Sequence, residues 1–257
     1  MSRVIFVAIC LASSVAFGAE RFESGKIVHF EAPLSAKAKA WAKVGGNPPV
    51  ESAKCAVVLP ENFTPTRAWP ILIVNTPIGA SAVEAIGQYA PTAFAAGWVT
   101  LAADGAAPAK LETTEWCHAM LFAAFEQLAK SWPGAARWPV TCAGFSGGAK
   151  RAAYIGAVLS EDGHPLLGLF FGGCNEDRVT DAMRWHKPGP AFLQTPIFLS
   201  HGREDRLATA DEMTSVVETM QRSGFLSVRA EPYDGGHELN VKELARALEW
   251  FRSVAKR

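Results

Sequence analysis

The sequence VTCAGFSGG, residues 140–148, changes from a strand pattern to a helix pattern around one serine. Its first part, Val140–Phe145, is apolar and predicts a buried strand, and a helical pattern follows over Ala149–Ser160. Glycines lie two positions before and two positions after Ser146, where larger side chains would clash if the strand and the helix packed closely. The pattern therefore predicts a tight strand-to-helix turn that exposes the Ser146 hydroxyl.

A serine at such a turn has two possible chemical roles. The amides at the start of the following helix carry partial positive charge, which can stabilise a developing oxyanion or bind a phosphate. A phosphate-binding loop has a glycine fingerprint that is different from this one. The sequence favours a nucleophilic Ser146 with the Gly147 amide directed at the oxyanion, and a glycine-rich phosphate turn stays as the alternative.

Strand-like and helix-like runs alternate from residue 53 to the end of the chain. The predicted strands are Ala53–Leu59, Ile71–Asn75, Trp98–Ala102, Val140–Phe145, Leu166–Phe171, Ile197–Ser200 and Ser227–Pro232. The predicted helices are Ser81–Ala96, Thr113–Ser131, Ala149–Ser160, Ala208–Ser223 and Val241–Ala255. This alternation predicts an α/β protein: a three-layer α/β/α sandwich around a mostly parallel central sheet, with no large lid domain.

A serine nucleophile needs a general base and an orienting acid. Asp205 follows the predicted strand Ile197–Ser200, and His237 follows the predicted strand Ser227–Pro232, so both lie at the carboxyl edge of the sheet together with Ser146. The chain order is nucleophile, acid, histidine. Glu204 is the alternative acid.

Three segments together resemble the α/β-hydrolases, and most of all their compact, lidless carboxylesterase and dienelactone-hydrolase-like branch. They are Gly144-Phe145-Ser146-Gly147-Gly148, His201-Gly202-Arg203-Glu204-Asp205 and Gly235-Gly236-His237. The resemblance runs from about Cys55 to the end of the chain. It implies the α/β-hydrolase fold, with Ser146 as nucleophile, His237 as general base and then acid, and Asp205 as the group that orients the imidazole. It also implies that the reaction needs neither metal nor organic cofactor.

One turn departs from the pattern of the family. Many of these esterases have a His-Gly-Gly-type turn after the third strand, which supplies a second oxyanion-hole amide, whereas this chain has Asn75-Thr76-Pro77-Ile78-Gly79-Ala80-Ser81. Pro77 has no amide hydrogen to donate. Alignment of the turn with the family's Gly-Gly-Ser assigns the second donor to the Ile78 amide, beside that of Gly147.

The stretch Gly172–Thr195 has no clear helix or strand pattern and follows the carboxyl end of a strand, where open α/β sheets bind ligands. Four of its residues are candidates for the substrate pocket: Cys174, Asn175, Trp185 and His186.

The first residues have the pattern of a targeting segment, with Arg3 before an uncharged apolar run. We expect residues 1–18 to be a signal peptide cleaved after Gly18, residues 19–52 to form an N-terminal extension and first strand region, and residues 53–257 to form the catalytic domain. The protein would then be secreted or periplasmic, without stable membrane insertion. An uncleaved anchor, or a lipoprotein built on Cys10, is the alternative.

The composition narrows the class of partner. The chain has 25 basic and 25 acidic residues and no Lys/Arg block, which argues against nucleic acid or an anionic membrane as partner. The sequence predicts an exported serine hydrolase that cleaves a small-molecule or polymer-borne carboxylic ester through an acyl-enzyme. A small peptidase of the prolyl-oligopeptidase type and a non-catalytic binding protein on the same scaffold are the alternatives. Four cysteines, Cys55, Cys117, Cys142 and Cys174, are equally compatible with disulfides and with buried thiols.

Overall fold

The computed structural model describes residues 23–76, 80–105, 114–132 and 134–255. The predicted signal peptide lies outside the described residues. The strands are β1 (Val28–Pro33), β2 (Ser52–Val58), β3 (Ile71–Asn75), β4 (Val99–Ala103), β5 (Val140–Phe145), β6 (Leu166–Gly172), β7 (Ile197–Gly202) and β8 (Val228–Tyr233). The α-helices are α1 (Ala36–Ala42), α2 (Ala82–Ala95), α3 (Thr114–Ser131), α4 (Gly147–Glu161), α5 (Arg178–His186), α6 (Ala210–Arg222) and α7 (Val241–Val254).

All of these strands form one sheet in the order β1-β2-β4-β3-β5-β6-β7-β8. β1 pairs antiparallel with β2, and β2 pairs antiparallel with β4. The pairs from β4 through β3, β5, β6 and β7 to β8 are all parallel. The carboxyl ends of β5, β7 and β8 consequently lie along one edge, and the predicted mostly parallel sheet is confirmed.

Helices cover both faces of the sheet. Buried side chains of α1, α3, α4, α5 and α6 form one apolar cluster, and those of α2 and α7 form a second one. In α7 the apolar residues Leu244, Leu248 and Phe251 recur at helical spacing and are fully buried. Burial of such apolar stripes holds the helices against the sheet. Because helices pack on both faces, the predicted three-layer sandwich is confirmed.

The stretch Gly172–Thr195 is more regular than predicted. It contains α5 and a 3-10 helix over Pro190–Gln194. Asp177 begins α5, because its carboxylate accepts hydrogen bonds from the amides of Val179 and Thr180 at 3.1 and 3.0 Å. The expectation of a long loop was therefore wrong from Arg178 onward, and Trp185 and His186 lie in the last turn of a helix.

The cysteines of the described chain are Cys55, Cys117, Cys142 and Cys174, and all four are free and buried. Among the described residues, no helix combines the length and the apolar character needed to cross a membrane.

Candidate active site

Ser146 lies between β5 and α4 in a strained backbone conformation. Its φ is 52° and its ψ is −121°, which is unusual for a residue with a side chain. Its amide donates to the Gly172 carbonyl at 2.8 Å, which ties the turn to the end of β6. Strain of this kind at a half-exposed serine is typical of functional sites, where the surrounding structure holds the residue in place.

Gly144 allows the close contact that forms this turn. A Cβ atom added at Gly144 would lie 2.2 Å from the backbone carbon and oxygen of Gly148. By contrast, a Cβ added at Gly147 would meet no atom within 4 Å. The first glycine of the motif is thus required for packing, whereas Gly147 has no steric need to be glycine.

Asp205 and His237 are hydrogen-bonded to each other. The His237 Nδ1 atom lies 2.8 Å from Asp205 Oδ2, and the Asp205 side chain is fully buried while that of His237 is 23% exposed. Asp205 follows β7 and His237 follows β8, which are neighbouring parallel strands. The His237 ring packs against the ring of Phe145, with 4.7 Å between the centroids, and so lies beside the residue that precedes Ser146.

The surroundings of Asp205 favour its charged form. Burial alone would raise the pKa of this carboxyl. Hydrogen bonds from His237 and from the amides of Ala208 and Leu207 lower the pKa by more than burial raises it, so the resulting pKa is below the usual value. The two amides bond the other carboxylate oxygen, Oδ1, at 2.9 and 2.8 Å. Asp205 is therefore held as an oriented anion behind the imidazole.

The loops that carry Asp205 and His237 are packed directly on each other. A Cβ added at Gly202 would lie 2.3 Å from the carbonyl oxygens of Gly235 and Gly236. The Glu204 amide donates to the Gly235 carbonyl at 2.9 Å. Tyr233 adds a further constraint, since its hydroxyl donates to the carbonyl oxygens of Gly236 and Glu238 on either side of His237. The position of His237 thus depends on backbone contacts that residue types alone do not reveal.

The other predicted site residues lie in several places. Gly147 is the first residue of α4, and Ile78 lies outside the described residues.

The four predicted pocket residues do not lie together. Cys174 is buried, its thiol donates to the Glu176 carbonyl at 3.3 Å, and burial raises the pKa of the thiol. Asn175 borders a shallow groove next to α6. Trp185 and His186 line a cavity on the α3–α4–α5 side, and the residues that line it do not include Ser146, Asp205 or His237.

Arg151 is a buried residue of this region that the sequence did not single out. It lies one turn into α4, is 5% exposed, and donates to the Thr76 carbonyl at 2.7 Å. Thr76 lies two residues before Ile78 in the sequence. No sequence signal connects these two positions, because the contact joins residues that are 75 apart in the chain.

Comparisons with known proteins agree with this architecture. No family model matches the chain. Two curated relatives are named acyl-protein thioesterase 1: that of Debaryomyces hansenii is 35% identical over 68 residues, which are 26% of this chain and 29% of the relative. That of Candida albicans is 26% identical over 111 residues, which are 40% of this chain and 47% of the relative. The chain thus spans less than half the length of each of these relatives.

Solved structures match over most of the chain. A bacterial heroin esterase is 17% identical with a TM-score of 0.60, and the match covers 89% of this chain and 84% of the other. A hyperthermophilic esterase from the archaeon Pyrobaculum calidifontis is 13% identical with a TM-score of 0.61, covering 91% and 85%. The strand order, the two helical layers and these matches lead to one conclusion: the chain has the α/β-hydrolase fold.

Proposed function

We propose that the protein is a serine hydrolase that cleaves carboxylic esters, with Ser146 as nucleophile, His237 as base and Asp205 as orienting acid. The observation that carries the proposal is the 2.8 Å hydrogen bond between His237 Nδ1 and the buried Asp205, with the His237 ring packed against Phe145, the residue before the strained and partly exposed Ser146. The names of the solved structures with this fold, which include a heroin esterase and a ferulic acid esterase, support an ester as the substrate class.

The chemistry follows from the tautomer of His237. When Nδ1–H donates to Asp205, the Nε2 atom is left unprotonated and can accept the proton of the Ser146 hydroxyl as its oxygen attacks the carbonyl. The imidazolium that forms is stabilised by the Asp205 carboxylate, whose lowered pKa keeps it ionised. His237 then protonates the leaving alcohol. Water attacks the acyl-enzyme with His237 again as base, which releases the acid and restores Ser146.

The oxyanion would be stabilised by the Gly147 and Ile78 amides. Gly147 begins α4, whose first amides have no partner within the helix and carry partial positive charge. Loss of one such donor costs on the order of 3 kcal/mol in transition-state stabilisation. Cys174, Asn175, Trp185 and His186 remain predicted substrate-pocket residues, and single alanine substitutions that change KM for bulky esters would test them.

The proposal is tested with a panel of p-nitrophenyl esters of increasing acyl length, together with a thioester and a p-nitroanilide of the same acyl groups. We expect ester turnover that falls by at least about 10³-fold in Ser146→Ala. Ser253→Ala, at an exposed position of α7, is the control and should keep full activity. The thioester arm addresses the named activity of the curated relatives, and the anilide arm addresses the peptidase alternative. Ester turnover retained in folded Ser146→Ala would contradict the proposal.

We also propose export, on the pattern of residues 1–18. Mass spectrometry of the N-terminus of protein recovered from a periplasmic or culture fraction would detect Ala19 as the first residue. Protein found only in the cytosol, with residues 1–18 intact, would contradict it.

A further inference from the structure

The cavity that Trp185 and His186 line lies between α1, α3, α4 and α5. Its volume is about 470 Å³, within the range of small-molecule sites. Its lining includes two tryptophans and one tyrosine, namely Trp41, Trp185 and Tyr154. Tyr154 lies seven residues after Gly147 in α4, which is about 10 Å along the helix axis. The cavity is thus separate from the residues proposed for hydrolysis.

His118 contributes an unpartnered acceptor to this cavity. It lines the cavity and is only 4% exposed. It bonds the backbone of Arg151, while its Nε2 atom has no hydrogen-bond partner among the described residues. The bond to Arg151 therefore uses Nδ1. Burial, the largest cause, lowers the pKa of His118 to about 3, so at neutral pH the ring is uncharged. A neutral ring that donates through Nδ1 presents Nε2 as a hydrogen-bond acceptor.

Buried polar atoms without a partner are uncommon in folded proteins. The Nε2 atom of His118 is therefore available to a ligand that supplies an N–H or O–H donor.

The charges around the cavity favour a cation. Arg178 is paired with Asp181 at 3.3 Å and also with Glu176, and these two carboxylates also pair with Arg184 and Lys150, respectively. Glu115 lines the cavity and has no ion pair among the described residues. Lys37 lies 5.1 Å from the centroid of the Trp41 ring, but its charge is balanced by Asp162. Among the described residues, the cavity is thus lined by one guanidinium group, that of Arg178, and by two carboxylates, those of Asp181 and Glu115.

The aromatic residues surround the same space. Tyr154 packs edge-on against His186 with 6.2 Å between ring centroids, and its ring centroid is 5.8 Å from that of His118. Trp185 is 78% exposed at the rim, although burial of an indole is usually favourable. Aromatic rings next to a carboxylate form the arrangement that attracts organic cations.

We propose that this cavity binds a small organic ammonium ion, a protonated amine carried on an aromatic or apolar body. The N–H groups of the ligand would donate to His118 Nε2, its charge would face Glu115, and its body would lie against Tyr154 and Trp185. The ammonium group could come from a free amine or from an amine-bearing part of an ester. Binding itself requires no hydrolysis.

Three probes of matched shape test the proposal by isothermal titration calorimetry on the full chain: phenethylamine, 2-phenylethanol and 3-phenylpropanoate. We expect phenethylamine to bind at least about 10-fold more tightly than the neutral alcohol, and the anion to bind most weakly. Glu115→Gln and Trp185→Ala change exposed side chains and should each weaken binding of the amine severalfold, with little effect of Glu115→Gln on the alcohol. Glu218→Gln, on the distant and exposed face of α6, is the matched control. Equal binding of the three probes, or no saturable binding of the amine in the millimolar range, would overturn the proposal.

A kinetic arm distinguishes the two sources of the ammonium group. Competition by phenethylamine against a cationic ester, but not against an uncharged one, assigns the cavity to part of the substrate. Binding of the amine without such competition assigns it to a free ligand. If the protein hydrolyses no ester at all, calorimetry still decides the cavity proposal, so the two proposals can fail separately.

Discussion

Asp205 and Glu204 are adjacent carboxylates, and the structure separates them by the direction of their side chains. The Asp205 carboxylate is buried against His237, whereas Glu204 is exposed and its backbone amide donates to the Gly235 carbonyl of the histidine loop. Neighbouring residues at the end of a strand point in different directions. For that reason the order of residues alone left the choice between the two acids open.

Replacement of Asp205 tests this assignment. Asp205→Asn keeps the size of the side chain but removes the charge that fixes the His237 tautomer, and we expect kcat to fall by about 10⁴-fold. Steady-state hydrolysis of p-nitrophenyl butyrate measures the effect. Glu204→Gln is the matched control and should stay within about twofold of the wild type. The reverse result, with Glu204→Gln inactive and Asp205→Asn active, would assign the acid to Glu204.

At the scale of elements, the strand-to-helix turn at Ser146 could be predicted because its whole signal is local. Strand, glycines, serine and helix follow one another within a short segment, and so do the segments that end at Asp205 and His237. Helix α5 was missed because it is short, and only Val179, Thr180 and Ala182 are buried in it. Most of its nine residues are polar, so it lacks the long apolar stripe from which a helix is usually predicted. The contact between Arg151 and Thr76 could not be predicted, because it depends on tertiary packing.

Two glycine substitutions test the packing of the turn. Gly144→Ala forces a Cβ against the Gly148 backbone, and we expect the free energy of unfolding to fall by about 3 kcal/mol or more. Gly147→Ala meets open space and should change it by less than about 1 kcal/mol. Urea unfolding followed by circular dichroism measures both. Similar stabilities of the two variants would show that the turn is not packed as described.

Arg151 should position the turn that follows Thr76. In Arg151→Met the Thr76 carbonyl loses its buried donor, and we expect kcat to fall about 10- to 100-fold with a small change in KM, because a displaced oxyanion-hole amide affects mainly the transition state. Arg252→Met is a chemically matched control, because Arg252 in α7 also donates to a backbone carbonyl, that of Gly97, at 3.0 Å. This contact lies on the other face of the sheet. Arg252→Met should therefore lower the free energy of unfolding without changing kcat. Equal losses of kcat in the two variants would indicate a general structural effect.

At the scale of the whole molecule, the sheet brings residues from distant parts of the chain to one edge. Parallel pairing of β5 through β8 places Ser146, Asp205 and His237 at the same edge of the sheet, after β5, β7 and β8. The alternation of strands and helices was sufficient to predict this topology. The cavity beside α4 could not be predicted, since its residues come from four helices and share no sequence pattern.

The buried Asp205 should also affect global stability in acid. The pKa of Asp205 in the folded protein is lower than the usual value of about 3.9, which applies to the unfolded chain. The ionised carboxylate therefore stabilises the fold at pH values above about 3.9. This stabilisation is lost as the pH falls from there through the pKa of the folded state. We expect the difference in free energy of unfolding between the wild type and Asp205→Asn to shrink below about pH 4. Urea unfolding from pH 7 downward measures it. A difference that stays constant or grows in acid would contradict the lowered pKa.

Ser146 should react as an activated nucleophile if it is held beside the His237–Asp205 pair as proposed. The most direct measurement is reaction of the purified protein with a fluorophosphonate probe, followed by peptide mass spectrometry to locate the adduct. We expect one adduct on Ser146, which forms much more slowly in Asp205→Asn and is absent in Ser146→Ala. A folded wild-type protein that forms no adduct, or an adduct on another serine, would contradict it.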